Sequence, residues 1–167
     1  MVHSIKTKTA KNTLSLPLSI ISPVDIGRVE RELWGIKNYV EQNKLKKEDF
    51  KLPKLSRLLD NLIDLNNVNL NNQLELSSLI SQVNDIKVNS PVIHLSFSVD
   101  PSVLFLEKIT AWFRKEINPI LLLTIGLQPT IGAGLTVRTT NKYFDFSLRQ
   151  RLANSTDYFV KVIQEQT

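Results

Sequence analysis

The stretch that decides the fold is VIHLSFSVDPSVLFLEKITAWFRKEINPILLLTIGL, residues 92–127. Apolar and polar side chains alternate over residues 92–99, and this period of two predicts a half-buried strand. Residues 120–125 are almost continuously apolar, as is typical of a strand covered on both faces. Between them, Asp100 and Pro101 have the residue types that begin helices. The stretch therefore predicts a βαβ unit with parallel strands and a right-handed crossover.

The helix of this unit ends at Asn118 and Pro119 and has an apolar stripe at helical spacing: Leu106, Ile109, Trp112 or Phe113, and Ile117. His94 lies on the more polar face of the first strand, with no second metal ligand near it in the sequence. We interpret it as an ordinary strand residue. The alternative is an enzyme in which His94 acts with Asp100 or Asp145, although both carboxylates stand where helix caps are expected.

A hairpin and a final helix follow. Residues 131–138 and 143–146 predict two strands around the turn at Asn141-Lys142. Ser147 then begins a helix, and either its side chain or that of Asp145 is expected to accept the exposed backbone N–H groups there. The apolar stripe of this helix consists of Leu148, Leu152, Phe159 and Ile163.

The first half of the chain predicts three amphipathic helices, the first of them beginning at Ser22-Pro23. An Asn-rich turn over residues 66–72 separates the second from the third. Short amphipathic helices must pack on one another or on a partner to bury their stripes, and the first stripe also has the spacing of a coiled-coil seam. The stripes are Ile26, Val29, Leu33, Ile36 and Val40; then Leu55, Leu58, Leu62 and Leu65, widened by Leu59 and Ile63; then Leu76, Leu79, Val83 and Ile86, with Ile80 beside them.

These elements give an α+β fold: an N-terminal helical region of about three amphipathic helices, followed by a small βαββα mixed-sheet domain. We expect a flexible basic arm over residues 1–21, the helical region over 22–90, and the α/β domain with its C-terminal helix over 91–167. The start of the chain carries lysines and no acid up to residue 24, which resembles an organellar presequence. Since it contains no arginine, we favour the solvated arm.

The residue inventory excludes several kinds of chemistry. The 167 residues contain no cysteine and two histidines, which rules out disulfides, thiolate metal sites, iron–sulfur clusters and cysteine nucleophiles. Gly132 and Gly134 superficially resemble a phosphate loop, but no Lys-Ser/Thr follows them, and they precede a strand instead of a helix. We therefore expect a protein that is not an enzyme, with no catalytic residue, no metal site and no cofactor.

The net charge of +5 is split along the chain. Residues 1–60 hold 12 basic and 7 acidic side chains, residues 61–100 hold 1 and 4, and residues 101–167 hold 8 and 5. Nucleic-acid binding requires a concentrated basic surface with several phosphate contacts, so this division disfavours it. A small basic nucleic-acid-binding protein remains the alternative, because the isoelectric point is near 9.5.

Residues 129–152, PTIGAGLTVRTTNKYFDFSLRQRL, resemble the C-terminal signature of the F-type ATP synthase delta subunit, whose mitochondrial counterpart is the oligomycin-sensitivity-conferring protein. The family has a Pro-Ser-Leu-Ile-Gly-Gly entry, a strand with a basic residue, a tight turn, and a second strand ending in Asp-Gly-Ser before a basic helix. The residues that match without a gap are Ala133, Gly134, Arg138, Asn141, Lys142, Asp145, Ser147, Arg149, Arg151 and Leu152.

The sequence also departs from the family. Ala133 replaces the first glycine of the entry and Phe146 replaces the glycine of Asp-Gly-Ser, which predicts a less contorted backbone at both points. The first half has room for about three helices, whereas the family usually begins with a bundle of six.

The resemblance implies a non-catalytic peripheral-stalk subunit of a proton-translocating ATP synthase, linking the catalytic alpha/beta head to the membrane-anchored b stalk. Its partners would be the N-terminal helices of the alpha subunits and the C-terminal helices of a b-type stalk subunit, with no nucleic acid. It would lie at the cytoplasmic side of the cell membrane and reach the membrane only through these partners.

Overall fold

The computed structural model of the chain describes residues 14–44, 53–148 and 155. The predicted α+β class, with a helical region before a small mixed sheet, is confirmed. The sheet has one strand more than a βαββα string contains, because both strands of the hairpin pair within it. None of the helices in the described ranges is long and apolar enough to cross a membrane. The elements are α1 (Pro23–Lys44), α2 (Arg57–Asn66), α3 (Gln73–Asn89), β1 (Val92–Phe97), α4 (Val103–Glu116), β2 (Leu122–Leu127), a 3-10 turn (Pro129–Ile131), β3 (Gly134–Arg138) and β4 (Tyr143–Ser147).

The four strands lie in the order β2-β1-β3-β4. β1 and β2 are parallel, as the βαβ pattern predicts, and β3 is antiparallel to both β1 and β4. Ile93, Leu95 and Phe97 alternate with His94 and Ser96 along β1, so the sheet has an apolar face and a polar face. α4 covers the β1–β2 side of the apolar face, where apolar residues of the helix and the strands form one buried cluster.

The predicted stripes of α1 and α3 are confirmed, since every residue named for them is buried. The stripe predicted for α2 is wrong at its last residue, whereas Leu55, Leu58 and Ile63 are partly buried and pack against the core. Leu59 and Leu62 are its buried residues, whereas Leu65 is 51% exposed. α2 begins after Ser56, whose side chain accepts a hydrogen bond from the backbone N–H of Leu59, and it ends at Asn67 in the left-handed region with φ 51°. A helix of 10 residues presents little more than two turns to the core, so only its central leucines are buried.

The start of α4 differs from the prediction. β1 ends at Phe97, and Val99 is 72% exposed. Asp100 is not the N-cap. The cap is Ser102, whose Oγ accepts a hydrogen bond of 3.3 Å from the backbone N–H of Phe105. Ser102 directly precedes the first helical residue, and only a side chain at that position reaches the free N–H groups of the first turn.

The predicted stripe of α4 is confirmed at Leu106, Ile109 and Phe113, which belong to the buried cluster or pack against it. It is wrong at Ile117, which is 56% exposed, and of the two residues left open by the sequence Trp112 is the exposed one, at 55%. Thr110 and Arg114 are buried polar residues on the same helix. Their spacing of four residues places them one above the other, so α4 presents a partly polar side to the protein interior.

Residues 14–21 are packed against the rest of the protein, so the prediction of a flexible arm is wrong for this segment. Leu14 and Ile20 are buried. The carbonyl oxygen of Ile21 accepts a hydrogen bond of 2.8 Å from the backbone N–H of Leu123 in β2. β2 is an edge strand, and this contact gives one of its free N–H groups a partner. Residues 1–13 lie outside the described ranges.

The buried apolar residues form two clusters that meet at the sheet. One cluster unites α1, α2 and α3 with Leu14 and Ile20, and it includes Leu122 of β2, with Val92 of β1 packed against it. Val92 and Leu122 are opposite each other on the polar face. The helical region therefore covers the first row of that face, and in the next row His94, Arg138 and Tyr143 are exposed.

The predicted hairpin is confirmed, with β3 and β4 joined across Asn141-Lys142. Its first strand starts later than predicted, because Pro129–Ile131 form the 3-10 turn. The final helix predicted from Ser147 lies outside the described residues, apart from Leu148 and Ser155, both of which have helical backbone.

Candidate functional site

The signature residues Ala133 and Gly134 lie at the start of β3. Gly134 has φ +102°, and a Cβ built on it would lie 2.5 Å from the carbonyl oxygen of Phe146. Only glycine fits this close approach of β3 to β4. Ala133 and Phe146, which replace family glycines, are not among the described residues with positive φ, so the prediction of a less contorted backbone at these two points is confirmed. The left-handed backbone falls instead on Gly132, with φ +78°, and on Gly134.

Asp145 and Ser147 lie opposite this entry, at the end of β4. Oδ1 of Asp145 accepts a hydrogen bond of 2.8 Å from the backbone N–H of Ser147. The backbone N–H of Leu148 donates a bond of 2.8 Å to the carbonyl oxygen of Ala133. Asp145 thus accepts the N–H group of the last residue of β4. Which side chain, Asp145 or Ser147, caps the final helix stays a prediction, because that helix lies outside the described residues apart from Leu148 and Ser155. Together these bonds fix the direction in which the chain leaves β4.

The structure divides the signature into two groups. Ala133, Gly134, Asp145 and Ser147 meet at one end of the hairpin, since Gly134 pairs with Ser147. Arg138 lies at the opposite end of β3, on the polar face of the sheet. Arg149, Arg151 and Leu152 lie outside the described residues. The four residues that meet hold the backbone in place; Arg138 is exposed and free to contact a ligand.

Asp145, one of the two carboxylates considered for catalysis, does not lie beside His94. His94 pairs with Arg138 on β3 and with Thr124 on β2. Asp145 is on β4, two strands away, in the row of Thr136. Within the described ranges there is no group of three or more His, Asp and Glu side chains placed to hold a metal ion. The arrangement around His94 therefore gives no support to an acid–base pair with Asp145.

The apolar face of the sheet carries exposed aromatic side chains on β4. Phe144 and Phe146 are 43% and 56% exposed, and their rings stack with centroids 6.3 Å apart. Phe144 pairs with Val137 and Phe146 pairs with Leu135, so both rings lie on the apolar face. No signal in the sequence marked them as exposed, because their alternation with Asp145 is that of a half-buried strand.

α4 adds two aromatic residues beside this face. Phe105 is 43% exposed and contacts Phe97 edge-to-face at 5.9 Å, and Trp112 is 55% exposed. Both lie on the side of α4 opposite Arg114, which faces residues 14–21 at the β2 edge. Phe105 and Trp112 therefore lie on the flank of α4 towards β3 and β4. We call Phe105, Trp112, Phe144 and Phe146 the exposed aromatic face.

Of the described elements, α4 is the one that packs on the apolar face. Its buried cluster extends to β3, where Val137 is 8% exposed and Leu135 is partly buried. In the part of the chain that the structure describes, the exposed part of this face is therefore its β4 edge with Phe144 and Phe146, flanked by Phe105 and Trp112 of α4.

Comparison with known proteins adds no relative: no protein-family model matches the chain, and a search of curated proteins finds no match.

Proposed function

We propose that this protein is a delta-like, non-catalytic subunit of the peripheral stalk of an F-type ATP synthase. It links the catalytic alpha/beta head to the b-type stalk at the cytoplasmic side of the membrane, which it reaches only through its partners. The observation that carries the proposal is the exposed aromatic face, whose four aromatic side chains are between 43% and 56% exposed among the described residues. An exposed apolar surface of this kind is suited to holding an amphipathic helix by burial. That is the task of a subunit that joins other subunits without reacting with a substrate.

The two parts of the chain divide this task. The exposed aromatic face binds the C-terminal helix of the b-type subunit, and residues 22–87 bind the N-terminal helices of the alpha subunits. In the helical region, Trp34 of α1 is 45% exposed, with the ammonium group of Lys37 4.9 Å from its ring centroid. Aromatic residues of this kind are enriched at protein interfaces.

The geometry of the hairpin also supports the proposal. Gly134 stands at a close approach that no other residue tolerates, and Asp145 accepts the N–H group at the exit of β4. Both residues belong to the stretch that resembles the delta signature. The matching residues therefore have structural reasons for their identity, as expected if the stretch folds like the delta hairpin.

The test uses the full chain and two peptides, the N-terminal helix of the alpha subunit and the C-terminal helix of the b-type subunit from the same source. Isothermal titration calorimetry should detect binding of both peptides to the full chain. The double variant F144D/F146D should weaken binding of the b-type helix at least about tenfold, because two aromatic contacts are lost and two charges face an apolar helix. The alpha peptide should still bind.

Leu74→Asp is the matched control, because Leu74 on α3 is 82% exposed and far in the sequence from the exposed aromatic face. This variant should bind the b-type helix like the unmodified protein. Circular dichroism melting of each variant separates lost binding from lost folding. Binding of neither peptide would overturn the proposal. Tight binding of RNA or DNA with a steep salt dependence would favour the alternative of a small nucleic-acid-binding protein.

A further inference from the structure

The polar face of the sheet contains a row of four functional side chains, one from each strand. The strand register places Thr124, His94, Arg138 and Tyr143 side by side, in that order across β2, β1, β3 and β4. Neighbouring strands are about 4.8 Å apart, so adjacent members of the row lie within reach of one ligand group. The sequence separates these residues widely, and only the pairing of the strands brings them together.

A hollow of about 910 Å³ is lined by three members of this row, His94, Arg138 and Tyr143. Its floor is the polar face with His94, Ser96 and Thr136, and the end of α3 at Ser90 forms one wall. The helical region packs on the preceding row of Val92 and Leu122, which is why the hollow begins where it does. The volume is in the range of about 300–1,000 Å³ found for small-molecule sites.

The charge of the hollow favours an anion. Arg138 lines it, and no Asp or Glu does. Among the described residues Arg138 makes no ion pair. Its guanidinium group is exposed, and its planar fork of donors matches the oxygens of a phosphate or carboxylate.

The other lining groups are mainly hydrogen-bond donors. The hydroxyl groups of Ser96, Thr136 and Tyr143 line the hollow together with the imidazole of His94. Ser90 Oγ is buried without a hydrogen-bond partner in the described part of the chain, and Ser90 is a lining residue. Buried polar atoms are nearly always paired, so an orphan at the wall of a polar hollow indicates a missing polar neighbour.

We propose that this hollow binds a small phosphomonoester, with the guanidinium group of Arg138 holding the phosphate. A phosphate has three free oxygens for Arg138 and the hydroxyl donors, whereas a carboxylate has two. The volume leaves room for an organic body beyond the phosphate. One arginine in the hollow suits a single phosphate group, because a nucleic-acid backbone requires several cations in line. This site is independent of the exposed aromatic face, which lies on the other side of the sheet.

Titration calorimetry of the full chain with adenosine 5′-monophosphate, glycerol 3-phosphate and adenosine tests the proposal. Both phosphate esters should bind, and adenosine should bind at least about tenfold more weakly, because it lacks the group that Arg138 holds. Comparing the two esters shows whether a nucleoside or a smaller body fills the rest of the hollow. If neither ester binds at millimolar concentration, the proposal is wrong.

Arg138→Gln should weaken binding of the esters about tenfold, since the charge-assisted bonds are lost. Lys108→Gln is the control: it removes the same charge from an exposed residue of α4, on the other side of the sheet, and should change binding less than twofold. Equal weakening by both variants would indicate unspecific attraction and overturn the proposal. Ser96→Val, which suits a strand, is the second variant and should weaken binding by filling the floor of the hollow. Unchanged binding in both Arg138→Gln and Ser96→Val would also overturn it.

Discussion

Nη1 of Arg114 donates a hydrogen bond of 3.0 Å to the carbonyl oxygen of Pro17, although the two residues are 97 positions apart in the chain. The same guanidinium group donates to the carbonyl oxygens of Leu16, Ile20 and Leu121. Arg114 is 8% exposed and pairs with carbonyl dipoles; no carboxylate forms an ion pair with it within the described ranges. It therefore joins α4, the start of β2 and residues 14–21.

Replacing Arg114 with Met should lower the free energy of unfolding by about 3 kcal/mol, because the carbonyl groups it serves would be left buried without donors. Urea unfolding followed by circular dichroism measures this loss. Lys115→Met is the control, since the Lys115 side chain is 83% exposed, and it should change stability by less than ~0.5 kcal/mol. Similar losses in both variants would show that Arg114 does not hold residues 14–21 in place.

The pH dependence of the same residue follows from its burial, which lowers the pKa of Arg114 from its usual high range to about 10. The group stays charged at neutral pH, so the stability difference between the unmodified protein and Arg114→Met should be constant between about pH 6 and 8.5. Above that range the unfolded chain binds more protons at this residue than the native chain. The native state should therefore gain stability relative to the variant as the pH rises towards 10 and beyond. Unfolding measured at several pH values checks this, and a difference that falls above pH 9 would contradict it.

Gly134→Ala should destabilise the protein by about 2 kcal/mol or more, because its φ of +102° is strained for any other residue and the new Cβ would lie against the carbonyl of Phe146. The matched substitution is Gly35→Ala in the middle of α1, where a Cβ has nothing within 4 Å. There alanine should stabilise the helix by about 0.5–1 kcal/mol. Thermal melting of the two variants should show shifts in opposite directions; two shifts of the same sign would argue against the tight approach of β3 to β4.

The start of α4 is tested by two alanine substitutions. Ser102→Ala should cost about 1 kcal/mol, because Ser102 caps the backbone N–H of Phe105. Asp100→Ala should change stability by less than ~0.5 kcal/mol, since Asp100 lies outside the helix and is not its cap. Chemical unfolding distinguishes the two positions. A larger loss of stability in Asp100→Ala than in Ser102→Ala would mean that Asp100 caps α4, as expected from the sequence.

The sequence predicts those elements whose evidence is local. In α1 the repeat of Ile26, Val29 and Leu33 indicates both a helix and its buried side, and the structure buries all three. The alternation around Leu95 does the same for β1. The sequence prediction is wrong for the cap of α4, because Asp100 and Ser102 are both residue types that cap helices and only the position of the first helical residue distinguishes them. It is also wrong for the burial of Leu65, because the sequence does not show where α2 ends.

The candidate sites required more than local evidence. The sequence marks Arg138 through its place in residues 129–152, which resemble the delta-subunit signature. Its row with His94 and Tyr143 depends on the register of three strands. One feature of the sequence weakly indicates that Arg114 is buried: it lies four residues after Thr110, so the two residues share the inner side of α4. Its partners Leu16, Pro17 and Ile20 are unreadable from the sequence, because backbone carbonyls are the same at every residue.

The sequence by itself determined the element types, the parallel βαβ unit and the hairpin, because helices and strands repeat every 3.6 and 2 residues and short motifs fix the turns. The tertiary structure alone decided that residues 14–21 pack at the β2 edge, that Phe144 and Phe146 of β4 are exposed on the apolar face, and that four side chains form a row on the polar face. These features depend on which distant segments meet, and that is set by the burial of the two apolar clusters as a whole.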